Sequence, residues 1–209
     1  MPEVVFRVVL PLLWVSLIGG LATNRYWVRR RIGRDPIVVR PLRATPGASG
    51  YLESLLSVCA LIATADVVLN AVSPRWAAER IGIDLLRSSR AVGFAGLGLL
   101  GIGVLVASLA VRQMGASWRI GIDRQAPGDL VASGLYARVR HPIYSGLLLA
   151  TAGLAGVTGD ALAVAVAVAA AVALPVQARL EEEFLLSRHP DSYPESLRRT
   201  GRFWPGLGR

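Results

Sequence analysis

The chain has 209 residues, of which 53% are hydrophobic and only 18% are charged. Soluble domains are about 45–50% apolar and about 25% charged, so the composition argues against an ordinary soluble protein. The formal net charge of +9 arises from 23 basic residues, all arginine, against 14 acidic ones. Most arginines lie between long apolar runs, which indicates topology signals and contacts with lipid phosphates, and we expect no nucleic-acid partner.

Cysteine and histidine are scarce. Cys59 is the only cysteine, which excludes a disulfide within the chain. The only imidazoles are those of His141 and His189. We therefore predict no metal site.

Three apolar runs in the N-terminal half are predicted to cross the membrane. The first, from Val4 to Thr23, precedes the arginines at 29–31, a flank typical of a retained span. The second, from Leu52 to Val72, contains Asp66, which we interpret as hydrogen-bonded to a polar residue on another helix. The third, from Ala91 to Val111, is uncharged, and its glycines favour close helix packing and would permit a homodimer.

The apolar stretch from Ile143 to Ala178 is too long for one crossing. It contains a single charged residue, Asp160, within the turn-like sequence Gly156 to Asp160. We predict a hairpin of two short helices that turns there.

The arginine distribution predicts the orientation. Residues 24–50, 112–142 and 179–209 hold seven, five and six arginines, and with five crossings all three segments face the same side. By the positive-inside rule that side is the cytoplasm, which places the N-terminus outside and the C-terminus inside. We expect an all-α polytopic bundle of about five membrane helices, with a cytoplasmic cofactor pocket, in a bacterial inner membrane.

Polar residues gather in the two cytoplasmic segments that flank the hairpin. Pro142 suits the first turn of the following helix, and His141 and Tyr144 share a face of it because they are three residues apart. Glu181 and Glu182 follow the second hairpin helix. Hydrogen-bond donors on one wall and carboxylates on the other suit a zwitterionic, partly cationic cofactor.

These residues form a recognisable pattern. It reads Gly-x-Tyr-x-x-x-Arg-His-Pro-x-Tyr-x-Gly followed by Glu-Glu-x-x-Leu, here Gly134, Tyr136, Arg140, His141, Pro142, Tyr144, Gly146, Glu181, Glu182 and Leu185. With this pattern the chain resembles the isoprenylcysteine carboxyl methyltransferase family and its phospholipid methyltransferase relatives.

The resemblance implies an integral membrane enzyme that transfers a methyl group from S-adenosylmethionine to a lipophilic acceptor. Residues 111–209 would form the methyltransferase core, and residues 1–110 would contribute three spans on the acceptor side. Glu181, Arg179 and Arg202 would lie nearest the acceptor. The cofactor would be bound by Tyr136, Arg140, His141, Pro142, Tyr144 and Glu182.

Alternatives remain open at this stage. The acceptor could be a lipid or isoprenoid carboxylate, thiol or amine; an arginine would position a carboxylate, whereas Glu181 would take a proton from an amine or thiol. Steroid-reductase-like membrane enzymes that use NADPH carry a related C-terminal motif. A non-catalytic membrane protein that binds lipid or a partner is the third possibility.

Overall fold

The computed structural model describes residues 1–33, 35–36, 48–87, 89–119 and 130–206, and most of these residues are helical. Within this part of the chain, β pairing is limited to two isolated bridges, Gly82 with Asp160 and Val139 with Gly201. The predicted all-α architecture is therefore confirmed. The α-helices are, in chain order, α1 (Leu10–Ile32), α2 (Ala48–Val72), α3 (Pro74–Ile81), α4 (Asp84–Arg87), α5 (Arg90–Met114), α6 (Pro142–Thr158), α7 (Ala161–Arg188) and α8 (Tyr193–Arg199).

Four helical segments in the described residues are long and apolar enough to cross a membrane, and they contain α1, α2, α5 and α7. α1 continues a π-helical turn at Val5–Val9, so the first segment extends over Val5–Ile32. α6 is shorter, with 17 residues, which corresponds to about 26 Å of helix. That length approaches the ~30 Å of the hydrocarbon core. The chain is thus an integral membrane protein with four helical segments long enough to span the membrane, and the crossing of α6 as a fifth membrane helix stays a prediction.

The C-terminal hairpin turns at the predicted place. α6 ends at Gly159, whose φ of +59° lies in the left-handed region that glycine adopts freely. The Asp160 carboxylate then caps α7 by accepting a backbone N–H bond at 3.0 Å. The hairpin is asymmetric: α6 is short as predicted, whereas α7 has 28 residues and continues past Glu181 and Glu182 to Arg188. α7 can extend past Glu181 and Glu182 because their carboxylates accept hydrogen bonds from other residues of the protein.

Glycines bring α5 and α6 into backbone contact. A Cβ atom on Gly103 would lie 2.5 Å from a backbone nitrogen of α6, and one on Gly153 would lie 2.3 Å from the backbone nitrogen of Leu100. The predicted close approach of the third span to a neighbour is therefore present. A Cβ on Gly98 or Gly101 would meet no atom within 4 Å, and a homodimer along this helix stays a prediction.

A buried polar cluster joins α2 to the hairpin turn. The Asn70 side-chain amide donates to Asp66 Oδ1 at 3.1 Å and to Asp160 Oδ2 at 3.0 Å. All three residues are fully buried. Asp66 therefore has the expected structural hydrogen bond, although its asparagine partner lies one turn along the same helix. Asn70 in turn connects this helix to the start of α7.

The segment after α8 folds back onto the start of α6. The backbone N–H groups of Arg140 and His141 donate to the carbonyls of Gly201 and Arg202 at 2.9 and 3.1 Å. The Ser145 hydroxyl donates to a further carbonyl of this segment at 2.6 Å. These bonds place the two halves of the sequence motif side by side. The proposed division of the chain after residue 110 falls inside α5 and stays a prediction.

Candidate functional site

Glu182 lies between two arginines beneath the candidate site. Its carboxylate accepts from Arg140 Nε at 2.9 Å and, in a forked arrangement, from Arg202 Nε at 3.1 Å and Nη2 at 2.6 Å. The side chains of Arg140 and Glu182 are only 4% and 8% exposed. Forked charge-assisted hydrogen bonds of this kind are strong and directional. The two arginines therefore hold the Glu182 carboxylate in place, and Glu182 in turn orients their guanidinium groups.

Arg140 also connects the site to the C-terminal end of α8. Its guanidinium donates to the carbonyl of Leu197 at 3.1 Å and to the carbonyl of Thr200. A cation near the last carbonyls of a helix satisfies groups that have no partner within the helix. Arg140 thus holds α7, α8 and the start of α6 in one arrangement.

His141 lies between the two glutamates and stacks on Tyr144. The two rings are parallel to within 2° with centroids 5.4 Å apart. The imidazole Nδ1 is 3.5 Å from Glu181 Oε2, and Nε2 is 3.3 Å from Glu182 Oε1. Burial by itself lowers the pKa of His141, but the hydrogen bonding and charge of Glu181 and Glu182 outweigh that cost and raise the pKa.

We expect the stabilising contribution of His141 to decrease as the pH rises. Because its pKa is higher in the folded protein than in the unfolded chain, the contribution is complete below the unfolded value of about 6.5 and is lost as the pH passes the folded pKa. Unfolding temperatures of the wild type and His141→Asn between pH 5 and 9 measure this difference. A difference in unfolding temperature between the wild type and His141→Asn that does not change with pH would contradict the prediction.

The three consecutive glutamates of α7 point in different directions. Glu181 Oε1 accepts from the Tyr144 hydroxyl and from Gln177 Nε2, the latter at 3.2 Å. Glu182 is buried against the arginines, and Glu183 is exposed. Gln177 and Glu181 share a helix face because they are four residues apart. Only Glu181 of the three is directed into open space within the protein.

That space is a cavity of about 440 Å³ that joins the polar site to the apolar interior. Its polar end is lined by the motif residues, and its apolar walls come from α1, α2, α5, α6 and α7. A volume in this range is typical of small-molecule sites. Tyr136 lies at the polar end, where burial and the Glu181 charge raise the pKa of its hydroxyl and keep it a neutral donor.

The structure places the predicted site residues in three groups. Five line the cavity: Tyr136, Arg140, His141, Tyr144 and Glu181. Three others lie outside the lining but support it: Glu182 and Arg202 form the ion cluster, and Pro142 starts α6. Arg179 is exposed on α7 and does not line the cavity. The individual roles of all nine residues stay predictions.

Three polar residues of the lining, Glu53, Gln177 and Tyr193, were not predicted as site residues, although Tyr193 fits the late part of the family pattern. Gln177 could have been found, because it lies one helical turn before Glu181 in an otherwise apolar run. Tyr193 is 2% exposed, and its hydroxyl has no hydrogen-bond partner among the described residues. Glu53 offers no local signal, since only the packing of α2 against α7 brings it to the cavity.

Comparisons with known proteins agree with the motif. Residues 92–191 match the family model described as phospholipid methyltransferase. The chain is also 40% identical over 112 residues to the cobalt-zinc-cadmium resistance protein CzcN of Cupriavidus metallidurans. That alignment covers 52% of this chain and 50% of the relative, so the chain spans about half the length of the curated relative it matches.

The whole fold is similar to a solved structure. A eukaryotic intramembrane Ras methyltransferase, isoprenylcysteine carboxyl methyltransferase, superposes with a TM-score of 0.55 over 99% of this chain and 72% of that one. The sequences are 18% identical, so this likeness concerns the fold. The family match and the fold likeness confirm the resemblance to membrane methyltransferases predicted from the motif.

Proposed function

We propose that this protein is a membrane enzyme that transfers a methyl group from S-adenosylmethionine to a lipophilic acceptor, with both ligands bound in the cavity. The observation that carries the proposal is the shape of that cavity. Its polar end holds the motif residues Arg140, His141 and Tyr144, and it continues between apolar helices towards Ala63 and Val166. A polar cofactor and a lipophilic acceptor can therefore meet inside one space.

The polar end fits the cofactor chemically. Gln177 Oε1 and the Tyr193 hydroxyl are buried, and neither atom has a hydrogen-bond partner within the described residues. Buried polar groups are normally hydrogen-bonded, so such atoms around a cavity suit a polar ligand. We propose that Gln177 and Tyr193, with Tyr136, His141 and Tyr144, hold the cofactor, while Glu182 acts by fixing Arg140 and His141.

When bound, S-adenosylmethionine supplies an activated methyl group on a sulfonium. The chain's own contribution is mainly alignment, and near-attack positioning can lower a barrier by about 7–11 kcal/mol. The apolar walls exclude water from the reacting groups. Glu181, held by Tyr144 and Gln177, faces the acceptor and can take a proton from it. Arg179, which is exposed, has no part in this assignment.

The membrane orientation is part of the proposal. We place the N-terminus outside and the C-terminus in the cytoplasm of a bacterial inner membrane, because three arginine-rich segments then face inward. The polar end of the cavity, at the C-terminal ends of α5 and α7, then opens on the side where soluble S-adenosylmethionine is available.

Ligand titration tests the proposal. We expect S-adenosylhomocysteine, but not NADPH, to bind saturably to the detergent-purified protein in a calorimeter. Tyr193→Phe removes one donor with little change of shape, so the affinity should fall roughly threefold to tenfold. Glu183→Gln is the matched control, since Glu183 is exposed, and its affinity should be unchanged.

Two other outcomes would replace the proposal. Binding of NADPH alone would establish the reductase alternative. Binding of neither ligand to a demonstrably folded protein would favour the non-catalytic alternative, in which the cavity binds lipid or a partner.

A further inference from the structure

A second, smaller pocket lies at the arginine-rich ends of α1 and α5. Its volume is about 170 Å³, and of the residues that the structure describes none lines both this pocket and the larger cavity. α1 contributes a single helix face, because its lining residues are spaced by three, four and seven positions. The lining includes Asn24, Trp27, Val28 and Arg31 of α1 and Arg112 near the end of α5.

The packing of α1 against α5 leaves this space. A Cβ atom on Gly20 would lie 3.7 Å from Ser108 Oγ, so the two helices are in contact at that level. Asn24 and Arg112 each follow about one helical turn later, and their larger side chains border the pocket. Val28, which is 2% exposed, belongs to the buried core and closes the pocket on the inner side. The pocket therefore opens away from the protein interior.

Two cationic side chains border this pocket without an acidic partner. Arg31 and Arg112 are exposed, and across the described residues neither guanidinium has an ion pair or a hydrogen bond. The described lining contains no acidic residue. Arg25, on another face of α1, is by contrast paired with Asp35. Two cations beside one pocket repel each other, and an anion bound between them removes that cost.

The hydrogen-bond donors around the pocket suit a phosphate group. Each guanidinium can donate two parallel N–H bonds to phosphate oxygens. The Asn24 carboxamide lies on the same face of α1 as Arg31, and its Nδ2 is buried with no hydrogen-bond partner in the described part of the chain. Buried donors are normally hydrogen-bonded, so an unpaired one at the pocket wall favours a polar occupant. An anion with several acceptor oxygens can satisfy all three side chains.

The surface beside the pocket is apolar, which favours a lipid over a soluble phosphate. Leu105 and Leu109 precede Arg112 by seven and three residues and share its face of α5. Their exposed fractions are 58% and 40%. Trp27 is 57% exposed at the pocket, as tryptophans at a membrane boundary are. A phosphate beside the arginines would therefore have an apolar surface along α5 for its acyl chains.

We infer that this pocket binds the phosphate of an anionic phospholipid, whose acyl chains lie along Leu105 and Leu109. A zwitterionic lipid is disfavoured, because its own cationic group would lie close to Arg31 and Arg112 and be repelled by them. The inference goes beyond the proposed function and is independent of it, since within the described residues the pocket and the cavity have no lining residue in common.

The test counts bound lipids. The protein in detergent micelles is mixed with equal amounts of phosphatidylglycerol and phosphatidylcholine of the same chain length, and native mass spectrometry measures which lipid stays bound. We expect the wild type to retain one phosphatidylglycerol with a preference of roughly fivefold or more over phosphatidylcholine, as one arginine near a membrane surface provides.

Variants assign the preference to the pocket. Arg31→Gln and Arg112→Gln should each lower the retention of phosphatidylglycerol roughly fivefold and leave phosphatidylcholine nearly unchanged. Arg29→Gln is the matched control: it removes the same charge from α1, but Arg29 is exposed and does not line the pocket. Its lipid preference should equal that of the wild type. Unfolding temperatures establish that each variant is folded.

Three results would overturn the inference. The first is equal retention of the two lipids by the wild type, and the second is an equal loss in Arg29→Gln. The third is displacement of phosphatidylglycerol by an excess of inorganic phosphate, which would identify a soluble anion as the ligand. The affinity for S-adenosylhomocysteine should be the same in all these variants. Its failure to bind to the wild type would contradict the proposed function and leave the lipid site standing.

Discussion

Glu182→Gln should lower the free energy of unfolding by about 3–5 kcal/mol, the cost of removing one partner from a buried ion cluster. The substitution preserves the shape of the side chain but removes the charge that Arg140 and Arg202 share. Arg140, whose side chain is only 4% exposed, would then lose the charge of Glu182 where water cannot replace it. Unfolding monitored by circular dichroism in detergent micelles measures the change.

The neighbouring glutamate provides a matched control for this prediction. Glu183→Gln makes the same chemical change one residue along α7, but Glu183 is exposed. Its stability should stay within about 0.5 kcal/mol of the wild type, as for most surface substitutions. Equal stabilities of the two variants would mean that the cluster with Arg140 and Arg202 contributes nothing to folding.

Glu182→Gln should also weaken ligand binding at the polar end of the cavity, where we propose that the cofactor binds. Glu182 holds Arg140, and the His141 imidazole lies 3.3 Å from it. Once Glu182 is neutral, both side chains lose an electrostatic partner that orients them. We therefore expect weaker S-adenosylhomocysteine binding in Glu182→Gln even at temperatures where the variant is folded.

The hairpin and the helix packing could be predicted because their causes are local. The turn before α7 needs a left-handed residue and a capping side chain, and Gly159 and Asp160 are adjacent in the sequence. The glycines of α5 predict a close neighbour without identifying it. Sequence spacing could not show that α6 supplies matching glycines at Gly146 and Gly153.

The gathering of the motif residues was predictable, but their directions were not. The hairpin returns the chain to the same face, so Arg140 and His141 had to meet the glutamates of α7. Successive residues on a helix point about 100° apart, so Glu181, Glu182 and Glu183 cannot all face the cavity. Which of them faces the cavity depends on how α7 is rotated against its neighbours, and that is set by packing.

Helical geometry also explains why Arg179 does not line the cavity with Glu181. Arg179 precedes Glu181 by two positions, which amounts to about 200° around the helix axis. The two side chains therefore point to nearly opposite faces, and the exposed position of Arg179 agrees with this. The sequence prediction ended the second hairpin helix at residue 178, and it therefore allowed Arg179 and Glu181 to lie together near the acceptor. On one continuous helix through residue 188 the two side chains cannot share that site.

Gly153→Ala is expected to be the most disruptive single methyl addition in the membrane bundle. The new Cβ atom would lie 2.3 Å from the backbone nitrogen of Leu100 and 2.6 Å from the carbonyl oxygen of Gly96. These backbone atoms cannot move independently, so α5 and α6 must separate. Overpacking of this kind costs about 1–3 kcal/mol, occasionally more, and the cost should appear as a lower unfolding temperature in detergent.

Gly98→Ala, on the neighbouring helix α5, is the control for this prediction, because its Cβ would meet nothing within 4 Å. It should leave the stability unchanged or slightly higher. Separation of α5 from α6 would also move walls of the cavity, because Ala107 of α5 and Tyr144 of α6 line it. Gly153→Ala should therefore weaken S-adenosylhomocysteine binding, whereas Gly98→Ala should not. If both variants unfolded at the same temperature, the contact between α5 and α6 could not be as close as the structure has it.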